Sequence, residues 1–130
     1  MTRSEVVWLR LVERVEARDA SGAAACFTER GVWQNVPHPP SVGRAAIEDL
    51  LGPILRRSTT VRWDTVTASF ADERAWLERV DRFWIGGVEY AVRCHGVLEL
   101  DPAGDSISAL RDYVDLGEWR QRLAAAGPLD

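Results

Sequence analysis

Arg79 and Asp81 stand two residues apart in Ala75–Gly86, a run that alternates apolar and polar side chains. Alternate side chains of a β-strand share a face, so this spacing sets a guanidinium beside a carboxylate, with Leu77 and Phe83 on the same side. Glu78, Val80 and Arg82 point the other way. In Ser106–Leu116, a second carboxylate, Asp112, shares a face with Leu110 and Val114, opposite Arg111, Tyr113 and Asp115. In Gly31–Val36, Trp33 and Asn35 share a face. If these three faces line one cavity, it holds two carboxyls, an arginine, an amide and an indole N–H among apolar walls. Burial raises a carboxyl pKa and a neighbouring guanidinium lowers it. An arginine between two Asp therefore allows one to keep a proton while the other accepts one, the requirement for paired acid–base catalysis. On spacing alone, the trio reads first as an ion-pair network that only ties strands together, or as solvent-exposed charges.

The rest of the composition narrows the chemistry. Of 130 residues, 16 are cationic and all are Arg; with no Lys there is neither a Schiff base nor a P-loop lysine. Two His (His38 and His95) and two Cys (Cys26 and Cys94) cannot build most zinc sites without carboxylates. The formal net charge of −4 and the lack of a basic cluster argue against nucleic acid as a partner. Cys26 and Cys94 are expected to be buried thiols, not a disulfide. The N-terminus has no apolar signal segment, and no run approaches the roughly 20 apolar residues of a membrane span, so a cytoplasmic protein is expected.

The elements that must position these side chains follow from periodicity. Residues 4–18 carry Val7, Trp8, Leu11, Val12 and Val15 at helical spacing, with Ser4 as the expected N-cap. A short helix is expected over Ala20–Phe27, then the strand Gly31–Val36 and a loop with Pro37, Pro39 and Pro40. Gly43–Leu55 is helical, with Ala46, Ile47, Leu50 and Leu51 on one stripe and a break at Gly52-Pro53. The period then changes. Thr59–Phe70, Ala75–Gly86, Val88–Leu100 and Ser106–Leu116 read as long strands, separated by turn signals at Gly86-Gly87 and Asp101–Asp105. A last helix is expected over Leu116–Ala125. Helices first and a meander of strands afterwards predict one α+β domain over residues 1–130, a curved sheet covered on one face by helices. The interior of such a cone is a natural small-molecule pocket.

Three segments, taken together, carry a more specific signal: WQNVPHPPSVGR at 33–44, ERVD at 78–81 and RDYVDL at 111–116, followed by Gly117-Glu118-Trp119. In this order and spacing, with the helix at Gly43–Leu51 between them, they resemble the limonene-1,2-epoxide hydrolase family from about Val32 to Leu123. The resemblance implies a cone-shaped, mixed-sheet fold shared with nuclear transport factor 2 and ketosteroid isomerase, commonly a homodimer. It also implies hydrolysis of an epoxide to a vicinal diol with no metal, no cofactor and no covalent enzyme ester. Asp112 matches the family's general base, Asn35 a residue that holds the attacking water, Asp81 the general acid, and Arg79 the bridge between the carboxyls.

One position departs: the family has Tyr where this chain has Trp33. An indole N–H only donates, so Trp33 is expected to donate to the water oxygen, leaving the water's protons for Asp112 and the Asn35 carbonyl. The implied pocket walls are Ile54, Leu77, Phe83, Val92, Cys94, Leu110, Val114 and Trp119. With Pro53 reshaping the pocket-side helix, the expected substrate is a hydrophobic, polycyclic or polyketide-like epoxide. His38 is expected to be exposed, and Tyr90, His95 and Val97 to lie on the outer sheet face. Other readings remain open: an isomerase or an epoxide-opening cyclase of the same fold, or a non-catalytic ligand-binding domain.

Overall fold

In the computed structural model, which describes residues 1–128, two N-terminal helices precede the sheet. Helix α1 spans Arg3–Glu16 and α2 spans Ala20–Ala24. Val7, Trp8, Leu11 and Val15 are the buried apolar stripe of α1, as their spacing requires. Its N-cap is Thr2, whose hydroxyl accepts from Glu5 N at 3.2 Å, not Ser4. Ser4 is buried, and its hydroxyl donates to the Ala71 carbonyl in the turn before β4, tying the helix to the sheet. Helix α2 stops three residues short of the expected Phe27, because Phe27 already belongs to the first strand.

The strands are β1 (Phe27–Val36), β2 (Ser41–Val42), β3 (Thr60–Phe70), β4 (Arg74–Ile85), β5 (Val88–Leu100) and β6 (Ile107–Val114). They form one curved sheet in the order β2-β1-β6-β5-β4-β3. Strands β3 to β6 are an antiparallel meander, whereas β1 lies parallel to β6. That single parallel pairing joins the N-terminal half to the C-terminal half and makes the sheet mixed. Gly86 and Gly87 both have positive φ (59° and 79°), which a two-residue hairpin with the twist of the strands demands. The short β2, which periodicity does not show, pairs with β1 through Val32 and Trp33.

Helix α3 runs unbroken from Arg44 to Arg57 with Pro53 inside it, so the expected break at Gly52-Pro53 does not occur. Proline forfeits one backbone hydrogen bond, but Ile47, Leu51 and Leu55, four residues apart, bury one face of the helix on both sides of it. Ser58 closes the end, donating its N–H and its hydroxyl to the Ile54 carbonyl. Helix α4 spans Leu116–Leu123 and passes into a 3-10 turn at Ala124–Ala126. Asp115 caps it, its carboxylate accepting from Glu118 N at 3.0 Å.

The core lies between the helices and the concave face of the sheet, where α1 contributes Val7, Trp8, Leu11 and Val15 against Leu77, Leu98 and Leu110. Strand parity holds: every second residue of β4, from Ala75 to Ile85, is buried. On β5, His95 is exposed and Val97 partly so, but Tyr90 is buried against Ile85 and Leu123. Even-numbered positions of β5 face the concave side, which places Tyr90 with Cys94 and not on the outer face. His38 is half-buried, held where its N–H donates to Asn35 O and its carbonyl accepts from Gln34 Nε2. Cys26 and Cys94 are both free and buried. None of the described helices is long and apolar enough to cross a membrane.

Candidate active site

The three strand faces do converge. Register sets Asn35 of β1 beside Asp112 of β6, Asp112 beside Gly96 of β5, Cys94 of β5 beside Arg79 of β4, and Asp81 of β4 beside Trp63 of β3. Arg79 lies at the centre and is 1% exposed. Its Nε donates to Asp81 Oδ1 at 2.8 Å and its Nη2 to Asp81 Oδ2 at 3.2 Å. On the other side, Nη1 donates to Asp112 Oδ1 at 2.8 Å and Nη2 to Asp112 Oδ2 at 2.7 Å. Only a planar guanidinium can hold two carboxyls in this forked way, which a lysine could not reproduce. The guanidinium also lies over the rings of Trp8 and Trp63, at 5.3 and 4.6 Å from their centroids. Cation–π attraction thus adds to the ion pairs in orienting it.

Both carboxyls are buried, Asp81 at 7% exposure and Asp112 at 3%. Burial pushes the Asp81 carboxyl above the ordinary range, against the lowering effect of the Arg79 charge and hydrogen bonds, while the neighbouring Asp112 adds to the rise. The Arg79 pKa is also raised: desolvation disfavours its charge, but the charges of Asp112 and Asp81 outweigh it and hold the guanidinium protonated. The Cys94 thiol lies 3.5 Å from Asp81 Oδ2, as a weak donor, and burial pushes its pKa far up. A thiol kept protonated by burial is a poor nucleophile.

Trp33 does not offer its N–H to the cavity as expected. The indole Nε1 donates to Asp112 Oδ2 at 3.1 Å. Trp33 stacks on Phe27, with centroids 5.6 Å apart, and this packing sets the ring where its N–H reaches the carboxylate across the β1–β6 pair. Asn35 is half-buried and its side-chain amide has no partner among the described residues.

A cavity of about 200 Å³ opens over this network. Asp81, Asp112, Asn35, Trp33 and Cys94 form its polar end. Of the expected walls, Ile54, Phe83, Val92, Val114 and Trp119 line it, with Trp119 tilted against Phe83 at 5.6 Å. Leu77 and Leu110 do not. Both are fully buried in the main core, on the far side of Arg79 from the cavity, with Trp8 and Leu11. They share the predicted face, but a strand face is longer than the pocket it helps to form. The structure adds walls that parity did not single out: Leu50, Leu51 and Pro53 from α3, Leu116 and Leu123 from α4, and Trp63. Trp63 was legible in principle, since it alternates with Val61 in β3.

Gly96 is a further site residue that the sequence signals only as a glycine inside a strand. A Cβ there would lie 2.7 Å from both Arg79 Nη1 and Asp112 Oδ1. The bare backbone of Gly96 is what lets the two ionic groups meet above β5.

Residues 8–110, which hold most of this curved mixed sheet, match the SnoaL-like domain family. The chain belongs to that family. Similar solved structures include an LEH-like epoxide hydrolase from M. tuberculosis, with a TM-score of 0.71 and 20% identity over 95% of this chain and 91% of that one. A putative SnoaL-like polyketide cyclase from Shewanella putrefaciens superposes with a TM-score of 0.80 at 12% identity, covering 96% of this chain and 98% of that one. The epoxide hydrolase/cyclase-like enzyme SalBIII, from pyran ring formation in the polyether salinomycin, gives 0.75 at 16% identity, covering 88% and 92%. At these identities the likeness is one of fold. This SnoaL-like chain thus shares its architecture with hydrolases and cyclases alike.

Proposed function

We propose that the protein opens an apolar epoxide by direct attack of water and releases a vicinal diol. The observation that carries this reading is the forked Arg79, joining two buried carboxyls at the end of an apolar cavity. Two carboxylates around one guanidinium leave one negative charge unmatched in a buried site. The raised Asp81 carboxyl is where a proton removes it. Asp81 is then the acid, and Asp112, which accepts from Arg79 and from the Trp33 indole, is the base. Asn35 holds the water beside Asp112, its register neighbour.

In the reaction, Asp112 takes a proton from water as the water oxygen bonds to a ring carbon. The C–O bond on the opposite side breaks, and its oxygen takes the Asp81 proton. The turnover leaves Asp112 protonated and Asp81 ionised, and one proton returns between them through solvent entering the cavity. The apolar walls bind the hydrocarbon and exclude other nucleophiles.

Asp112→Asn keeps the shape and removes the base. Diol formation from styrene oxide, followed by chromatography, is expected to fall by roughly 10²–10⁴-fold. Wild-type turnover in that variant would overturn the mechanism. So would a first turnover in ¹⁸O-water that labels an enzyme carboxylate before the diol.

One observation favours a second reading. The Trp33 and Arg79 donors occupy both lone pairs of Asp112 Oδ2, leaving a nucleophile only the free lone pair of Oδ1, with Asn35 nearby. Water is localised well by two to four polar partners. A hydroxyl tethered within the substrate needs only one, and would close to a cyclic ether with the same acid and base. A substrate carrying both an epoxide and a hydroxyl separates the readings by its product, a diol or a ring.

A further inference from the structure

The acid–base reading leaves one buried donor unused. Among the described residues, Trp63 Nε1 is the buried side-chain nitrogen or oxygen with no hydrogen-bond partner. Trp63 is 6% exposed and lines the cavity that holds Asp81 and Asp112. It is also the cross-strand neighbour of Asp81, on the same face of the sheet. Such neighbours have Cβ atoms roughly 5 Å apart. The ring is fixed on three sides. It stacks on Trp8 with centroids 5.8 Å apart, meets Trp33 edge-on at 5.8 Å, and carries the Arg79 guanidinium 4.6 Å from its centroid.

All of that packing uses the ring and none of it uses the N–H. A phenylalanine would stack on Trp8 and receive Arg79 without leaving a buried donor unpaired, which is costly. The nearby Trp33 ring offers at most a weak π acceptor. Trp33 itself shows the contrast, since its own N–H is taken up by Asp112. No described residue supplies an acceptor for Trp63, and the cavity that its side chain lines is where a ligand can bring one.

We propose that Trp63 donates its indole N–H to the oxygen atom of the bound substrate that Asp81 protonates. The inference rests on the epoxide-opening reading for the identity of that oxygen, and on the cavity geometry for the contact. As the C–O bond breaks, negative charge grows on this oxygen until the Asp81 proton arrives. A neutral donor held rigidly beside it stabilises that charge more than it stabilises the intact epoxide. The ligand class is accordingly a small, largely apolar molecule with an ether-type oxygen at the carboxyl end of the cavity.

Two measurements test this. In Trp63→Phe, kcat for styrene oxide is expected to fall on the order of 10²-fold while KM changes little. An unchanged kcat, or a loss confined to KM, overturns the proposal. The second measurement uses the wild-type chain and no turnover. With ¹⁵N-labelled tryptophan, the Trp63 indole proton is expected to move downfield on titration with 2-phenyltetrahydrofuran and to stay in place with phenylcyclopentane, which replaces the oxygen by CH₂. Equal movement with both ligands, or none with either, overturns the proposal. If the indole proton responds to the ether but no epoxide is ever opened, the contact stands and the hydrolase reading falls. If epoxides are opened but the indole proton is silent, the reverse holds.

Discussion

At the scale of single residues, the site turns on where protons sit. Burial, opposed by Arg79, leaves the folded Asp81 carboxyl with a higher pKa than in the unfolded chain, where it titrates at about 4. The folded state therefore binds this proton more tightly. Its contribution to stability is complete below the unfolded value and is lost as pH rises through the folded one. Urea unfolding across this range should show Asp81→Asn with a flatter decline in stability than wild type as pH increases. In the proposed mechanism the same proton opens the ring, so kcat/KM for styrene oxide should fall on the alkaline side as Asp81 ionises. A rate that keeps rising through that range would remove Asp81 as the acid. Parity put Arg79 beside Asp81 and left Asp112 free to join them, and strand register brings it there. It could not say where the Trp33 N–H points, because that depends on how the ring packs on Phe27.

At the scale of elements, the strands matched their alternation closely and the helices matched it less well. Val88–Leu100 has the bounds its pattern implies, and β4 buries every second residue. Pro53 misled because local backbone preference was outweighed by burial of Ile47, Leu51 and Leu55 along one side of α3. Ser4 misled because its hydroxyl has a better use, in the turn before β4. Gly96 belongs to this scale too, since its role arises from strands β4, β5 and β6 lying side by side. In Gly96→Ala, the new methyl would press on Arg79 and Asp112 at 2.7 Å, and neither can retreat without breaking its pair. Breaking a buried ion pair costs about 3–5 kcal/mol. Denaturant melts should show a loss of up to that size, with diol formation reduced at least 10-fold. A fully active, equally stable Gly96→Ala protein would mean that the network has slack it does not show.

At the scale of the whole molecule, one concave surface is divided between two tasks. On one side of Arg79, α1 seals the surface with Trp8 and Leu11 over Leu77 and Leu110. On the other, α3 and α4 stand back and leave the cavity. Leu77 and Ile54 therefore give different responses. Leu77→Ala should cost about 2–5 kcal/mol of stability, because it hollows a packed core. Ile54→Ala, at a half-buried wall, should cost less and act mainly through KM. Thermal melts and steady-state kinetics on the pair check this division.

Residue order alone determined the α+β class and the faces of the long strands, putting Arg79 with Asp81 and Trp33 with Asn35, because alternation along a strand is a local property. Only the tertiary structure decided the rest. It decided that Trp33 serves Asp112 and not water, that Leu77 and Leu110 are core, that Gly96 makes room for the ion pairs, and that Trp63 is left with an unpaired donor. These depend on distances between side chains from different strands and helices, which register and packing set and no single segment encodes.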